Sequence, residues 1–141
     1  MDLTKALAEA AQHRLGVLTT QKRDGRPQLS NITYVVGEDG LIRVSITDDR
    51  AKAKNLRRDP RASLYVGRQD GWAYLVLEGT AELTPVAASP DDATVEELIE
   101  LYRLVQGEHP DWDDYRRAMV ADRRLVLRLR AERAYGMWPD T

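Results

Sequence analysis

Through the first 85 or so residues the hydrophobic positions fall in short runs that alternate with polar ones. Beyond them the spacing changes to every third or fourth residue. The clearest alternation is "LIRVSIT" (41–47), with Ile42, Val44 and Ile46 on one face and Leu41, Arg43, Ser45 and Thr47 on the other. "HRLGVLTT" (13–20) reads as a short apolar strand. "RPQLSNITYVV" (26–36) reads as another, with Leu29, Ile32 and Tyr34 between polar residues. "RASLYVGR" (61–68) and "GWAYLVLEGTAELT" (71–84) supply two more. The first ten residues precede these strands as a helix, with Leu3 and Leu7 four apart. Asp24-Gly25, Asp39-Gly40 and Asp70-Gly71 mark tight turns, since aspartate and glycine tolerate the positive φ that hairpin turns require. An antiparallel meander closing into a small barrel is the predicted arrangement.

The helical part begins at Ser89-Pro90-Asp91-Asp92, which reads as a capping serine followed by proline and acids in the first turn. Val95, Leu98, Ile99, Tyr102 and Val105 then form one apolar stripe, and Gly107 is placed to end the helix. Asp111 is placed to cap a shorter helix carrying Trp112, Tyr115 and Met119 on one side. "RRLVLRLR" (123–130) returns to alternation as a closing strand. With no linker or repeat between these parts, the chain is expected to be a single domain over residues 1–141.

Composition narrows the function. The chain has no cysteine, which excludes disulfides, thiolate catalysis and cysteine-ligated metals. No apolar run reaches the ~20 residues of a membrane span, and "MDLTKALAEA" lacks an apolar signal core, so a cytoplasmic location is expected. His13 and His109 have no metal-binding partner at useful spacing, and no metal site is expected. The net charge is −2, yet the charge is uneven. Residues 14–68 hold twelve basic and six acidic residues, whereas 78–115 hold eleven acidic residues and the single basic Arg103. Such a division fits a small anionic ligand or a complementary protein surface better than a nucleic acid, which calls for basic excess over the whole domain.

The positive charge concentrates in "DDRAKAKNLRRDPRAS" (48–63), where six of the twelve residues from 50 to 61 are basic. Asp48 or Asp49 is the expected cap of a short helix that Pro60 ends. At about 100° per residue, Arg50, Lys54, Arg57 and Arg58 share one side, while Ala53 and Leu56 dock on the barrel. Lys52 projects on the Leu56 side, where it must snorkel outward or meet an anion. Arg50 and Lys52 also occupy the first turn, whose free N–H groups and positive dipole end favour a phosphate or carboxylate.

Four segments in order resemble a known family: "GVLTT...DGRPQLSNITY", "SITDDRAKAKNLRRDPRASLYV", "DGWAYLVLEGTAELT" and "LYRLVQGEHPDWDDYR". They are similar to the pyridoxamine 5′-phosphate oxidase-like split-barrel flavoproteins, and most of all to the actinobacterial branch that uses the deazaflavin coenzyme F420. The resemblance implies a mainly β fold with helices, a six-stranded antiparallel split β-barrel. It also implies a homodimer with cofactor sites at the interface. It places Pro27, Gln28, Ser30 and Asn31 along the edge of the cofactor ring, and Arg50 and Lys52 at the phosphate or the adjoining tail. Asn55 would fix the helix against a strand, and Trp72 and Tyr74 would lie near the ring or the second subunit. The extra basic residues with which pyridoxamine-phosphate oxidases proper grip their substrate are not found, which argues against vitamin B6 oxidation.

The expected activity is hydride transfer from reduced F420 to a small conjugated electrophile, in which the cofactor carries the chemistry. No side-chain nucleophile or acid/base dyad is evident, and solvent or Tyr74 is the candidate proton source. FMN in place of F420, and a non-catalytic carrier of the deazaflavin, are the alternatives. The anionic polyglutamyl tail of F420 would account for cations beyond those one phosphate needs, with Lys54, Arg57, Arg58 and Arg61 following Arg50 and Lys52.

Overall fold

The computed structural model describes residues 1–139. In chain order its elements are α1 (Leu3–Ala10), β1 (Leu15–Gln21), β2 (Pro27–Thr33), β3 (Val35–Val36), β4 (Ile42–Thr47), α2 (Ala51–Arg58), β5 (Arg61–Gly67), β6 (Tyr74–Leu83), α3 (Ala93–Gln106), α4 (Trp112–Ala121) and β7 (Arg124–Met137). The strands form one antiparallel sheet in the order β2-β1-β5-β6-β7-β4-β3.

The sheet has seven strands rather than the expected six, because residues 26–36 form two strands instead of one. The break is at Tyr34. Its N–H still donates to the Arg14 carbonyl beside β1 (2.8 Å). The next two residues then pair with β4, Val35 opposite Arg43 and Val36 opposite Ile42. β2 and β3 therefore lie at opposite edges of the sheet, and the chain through Tyr34 draws those edges together. Tyr34 and Val35 are both buried, so alternation fails at the point where the sheet curls into a split barrel. The Tyr34 hydroxyl donates to the Ala10 carbonyl (2.7 Å) and ties α1 to this closure.

Inside the curl lie Leu18, Ile32, Val44, Leu64, Leu75 and Leu127 with their neighbours, plugged by Ala6 and Ala10 of α1 and by Ala53 and Leu56 of α2. Leu125, Leu127 and Leu129 face this interior as their alternation predicts. Val126 points the other way and is buried beneath α3 and α4 with Val95, Leu98, Ile99, Tyr115 and Met119. β7 continues to Met137, well past the 123–130 run, pairing with β4 over 124–129 and with β6 over 127–137. Its far half alternates poorly because one face there is exposed, which hides it from pattern reading. At the Glu78/Gly79 step the register shifts by one, with Glu132 of β7 as the extra residue of a bulge. A Cβ on Gly79 would lie 1.8 Å from the Arg130 carbonyl oxygen, so only glycine fits.

Two helix starts differ from expectation. α3 is capped by Asp92 rather than Ser89: one carboxylate oxygen accepts from Val95 N–H (2.9 Å), the other from Ala88 N–H (2.8 Å) and Ser89 N–H (3.1 Å). A carboxylate serves both sides of the turn, which a serine hydroxyl cannot. α2 starts after Arg50 with no side-chain cap. Asp48 is taken by Arg57 and Arg123, and Asp49 by the Thr47 hydroxyl (2.7 Å). Asp111 does cap α4, and Gly107 ends α3 with φ of 82°. Among the described residues no helix is long and apolar enough to cross a membrane.

Candidate functional site

The two halves of the curl approach without pairing, and the gap between them is a cavity of about 560 Å³. That lies within the ~300–1,000 Å³ of small-molecule sites. One wall is 30–33 of β2, and the facing wall is 44–47 of β4. The start of α2 brings Arg50 and Lys52 to the rim. Leu98, Leu101, Tyr102 and Val105 of α3, with Tyr115 and Met119 of α4, form an apolar side. Arg124, the first residue of β7, completes the lining. Three cations thus face the cavity, and among the described residues no carboxylate does.

The basic knot divides in two. Arg57 pairs with Asp48, Arg61 with Asp59 (2.7 Å), and Arg58 donates to the Gln21 carbonyl (2.7 Å) and the Asn55 side-chain oxygen (3.1 Å). These three staple α2 to its surroundings. Arg50, Lys52 and Lys54 have no carboxylate partner within ion-pair distance among the described residues. Lys52 reaches only the Ser30 hydroxyl, at a long 3.4 Å. Desolvation, seconded by the charge of Arg50, holds its ammonium below the usual lysine range. Two cations, an uncapped helix start and partial desolvation together favour an incoming anion.

Of the ten residues singled out from the sequence, Ser30, Asn31, Arg50 and Lys52 line the cavity. Asn55 does not. It is 7% exposed and donates to the Thr20 hydroxyl (3.1 Å), fixing α2 against β1. Pro27 and Gln28 lie towards the other end of β2, opposite Gln21 and Thr20, and Lys54 projects into solvent. Trp72 sits in the β5–β6 turn and is 74% exposed. Tyr74 stacks on Tyr65 with ring centroids 5.9 Å apart, outside the cavity of its own chain, so this chain's Tyr74 is not placed to protonate a ligand there.

Sequence reasoning missed the helical wall and Arg124. The wall could have been found from the stripe of α3, whose Leu98 and Val105 flank the cavity. Arg124 could have been found from its register: it shares a face with Val126, which the helices cover. α3 is clamped to the sheet by Glu97, which accepts from Arg43 Nε and from Arg128 Nε (2.9 Å each). Arg128 foremost, and Arg43, hold the Glu97 carboxyl below its ordinary range against the opposing effect of burial. Tyr115 donates to the Leu98 carbonyl (3.1 Å), and burial pushes its hydroxyl up to about 12, so it stays protonated. His109 packs among Tyr102, Trp112 and Tyr115, and His13 packs on Trp138.

The chain belongs to the pyridoxamine 5′-phosphate oxidase family, whose description matches it over residues 3–138. Among solved structures it is similar to a conserved hypothetical protein from Mycobacterium tuberculosis, at 25% identity and a TM-score of 0.74, over 96% of this chain and 84% of that one. An F420 reductase shares the fold at 23% identity and a TM-score of 0.63, covering 86% of this chain and 89% of that one. So does a FAD-binding protein from Mesorhizobium loti, at 18% identity and a TM-score of 0.67, over 96% and 92% of the two chains.

Proposed function

We propose that this protein is an F420-dependent oxidoreductase that reduces a small conjugated electrophile. The observation that carries the reading is a cavity with Arg50 and Lys52 at the uncapped start of α2, an apolar side and, among the described residues, no carboxylate. A phosphate-bearing, flat cofactor matches that donor set. When bound, the reduced deazaflavin supplies the hydride. Arg50 and Lys52 hold the anionic end, Ser30 and Asn31 offer hydrogen bonds along β2, and Leu98, Leu101, Val105 and Met119 exclude water. The fold shared with an F420 reductase supports this reading.

FMN is the second reading, and a specific observation favours it. Arg57, Arg58 and Arg61 already have partners within the chain. The surplus available to a polyglutamyl tail beyond the phosphate shrinks to Lys54. Tryptophan fluorescence titration with F420 and, separately, with FMN decides between them, followed by turnover of the reduced complex. Preference for F420 with substrate reduction supports the proposal. Preference for FMN replaces the cofactor, binding without turnover makes the protein a carrier, and binding of neither refutes the site.

The functional unit is a homodimer in this proposal. Val17, Tyr65, Val76 and Tyr135 lie in one register row across β1, β5, β6 and β7, on the face opposite the core. Leu15, Tyr65, Trp72, Tyr135 and Met137 are exposed along it. A continuous aromatic and aliphatic face of this kind marks an interface. It would account for Trp72 and Tyr74 lying outside their own cavity, since both sit at its end.

A further inference from the structure

The strongest unexplained group in the molecule is the Arg124 guanidinium. Its placement follows from the turn before it. Arg123 takes a left-handed φ of 55°, pinned on both sides by Asp48: the Arg123 carbonyl accepts from Asp48 N–H (3.0 Å) and its guanidinium donates to the carboxylate (2.9 Å). Arg124 then pairs in register with Thr47 and turns its side chain to the face of Val126, beneath α3 and α4. There, among the described residues, Nη1 reaches only the Ser45 hydroxyl at 3.4 Å, and Nε is buried with no hydrogen-bond partner. No carboxylate pairs with it among the described residues. By contrast Arg43 is neutralised by Asp39 and Glu97, Arg128 by Glu82 and Glu97, and Arg123 by Asp48.

A partly buried cation without a counter-charge destabilises the fold unless an anion completes it. Arg124 lines the same cavity as Arg50 and Lys52 but from a different element, on the side walled by α3 and α4. We infer that Arg124, with Ser45, is the recognition point for a carboxylate carried by the substrate, whose flat apolar body lies against Leu98, Tyr115 and Met119. The planar guanidinium matches a carboxylate, and its Nη nitrogens are the donors left to turn towards a ligand. Tyr115 adds a neutral aromatic edge, since its hydroxyl is already committed to Leu98. That the ligand is the substrate rests on the oxidoreductase reading; that the site takes a carboxylate does not.

The test uses the full chain without cofactor. Benzoate, trans-cinnamate and 2-naphthoate are titrated against their matched amides by calorimetry, with wild type, Arg124→Gln and Arg117→Gln as an exposed charge-matched control. At least one acid should bind wild type about tenfold tighter than its amide, as a charge-assisted hydrogen bond provides. That preference should vanish in Arg124→Gln and persist in Arg117→Gln. Separately, F420 and FMN affinities of Arg124→Gln should stay within about threefold of wild type. No acid preferred over its amide, or a preference that survives Arg124→Gln, overturns the inference. So does a loss of cofactor affinity in that variant, which would assign Arg124 to the cofactor. Arg124→Lys keeps the charge without the fork and should bind acids more weakly than wild type. It carries the test if Arg124→Gln does not fold, and wild-type affinity for acids in this variant would then overturn the inference. Failure of both cofactors to bind would sink the oxidoreductase reading while leaving the acid-over-amide comparison intact.

Discussion

Replacing Lys52 by methionine should move affinity and stability in opposite directions. The Lys52 ammonium faces the cavity, and its one hydrogen bond among the described residues goes to the Ser30 hydroxyl, 3.4 Å away. In the free protein this charge is partly stripped of water and faces Arg50, so its protonated form is disfavoured relative to the unfolded chain. Methionine keeps the apolar stem and removes the charge. Stability in urea at pH 7 should therefore hold or rise, with any change on the order of 0.5 kcal/mol. The ligand loses a hydrogen bond from a charged donor, worth ~1.5–3 kcal/mol, which is roughly a 10- to 150-fold weaker cofactor. The sign of the pH effect follows from the same shift. The folded lysine releases its proton below the ordinary value of 10.5, so the unfolded chain binds more protons in that alkaline window and wild-type stability rises with pH there. Cofactor affinity falls through the same window, as the cation is lost. Lys52→Met should remove both components. Fluorescence titration and urea melts from pH 7 to about 10 read each arm. Unchanged affinity, or affinity and stability falling together, would refute the reasoning, the second because it would make Lys52 a structural residue.

Other consequences follow from the same geometry. Glu97→Gln weakens the clamp on α3 and should cost about 1–3 kcal/mol in urea melts at pH 7, leaving Arg43 and Arg128 short of a charge. Acid should do likewise in wild type: the hydrogen bond from Arg43 pushes Asp39 down to about 2, and Glu97 is also depressed, so their contribution is full above about pH 4.5 and is lost as pH falls towards 2. Glu97→Gln should show a shallower loss over that range. Gly79→Ala should destabilise by on the order of 3 kcal/mol in thermal melts, because its Cβ meets the Arg130 carbonyl, backbone that cannot swing away. Tyr65→Glu should give a folded monomer by light scattering at micromolar concentration where wild type is dimeric; a wild-type monomer would refute the proposed interface.

Much of the fold was legible where alternation and turn chemistry agree. Ile42, Val44 and Ile46 against Leu125, Leu127 and Leu129 are a register pair that each strand announces on its own. Legibility failed where long-range contacts override local pattern. Tyr34 reads as one more position in a strand, and only closure of the sheet makes it the point where the chain changes edges. Ser89 reads as a cap, yet Asp92 serves more N–H groups. Residues 131–137 read as nothing, because a strand exposed on one face and paired to β6 needs no apolar alternation. For the site, the start of α2 was visible because charge in a first helical turn is a local signal. The wall from α3 and α4 and the position of Arg124 were not, since they depend on which face the helices cover. Trp72 and Tyr74 were singled out by resemblance and lie outside the cavity, where only a second subunit could bring them into play.

The uneven charge along the chain resolves into pairs rather than a field. The acidic half is largely consumed in place: Glu96 meets Arg116, Glu97 meets Arg43 and Arg128, Glu100 and Glu108 meet Arg103, and Asp92 and Asp111 cap helices. The basic half is consumed in the same way at Arg57, Arg58 and Arg61. Solvent-exposed pairs of this kind add little stability each, but they decide which cations remain. Among the cations left without a carboxylate, Arg50, Lys52 and Arg124 share one lining, with no acid in it among the described residues. Lys54 and Arg130 are left unpaired too among the described residues, but on the outer surface, where water screens them at little cost; the cavity is different. Here two of the three, Lys52 and Arg124, are partly buried, which is the expensive place to leave a charge. That placement fits the proposal that negative charge completes the cavity, entering at the start of α2 and again beneath α3 and α4.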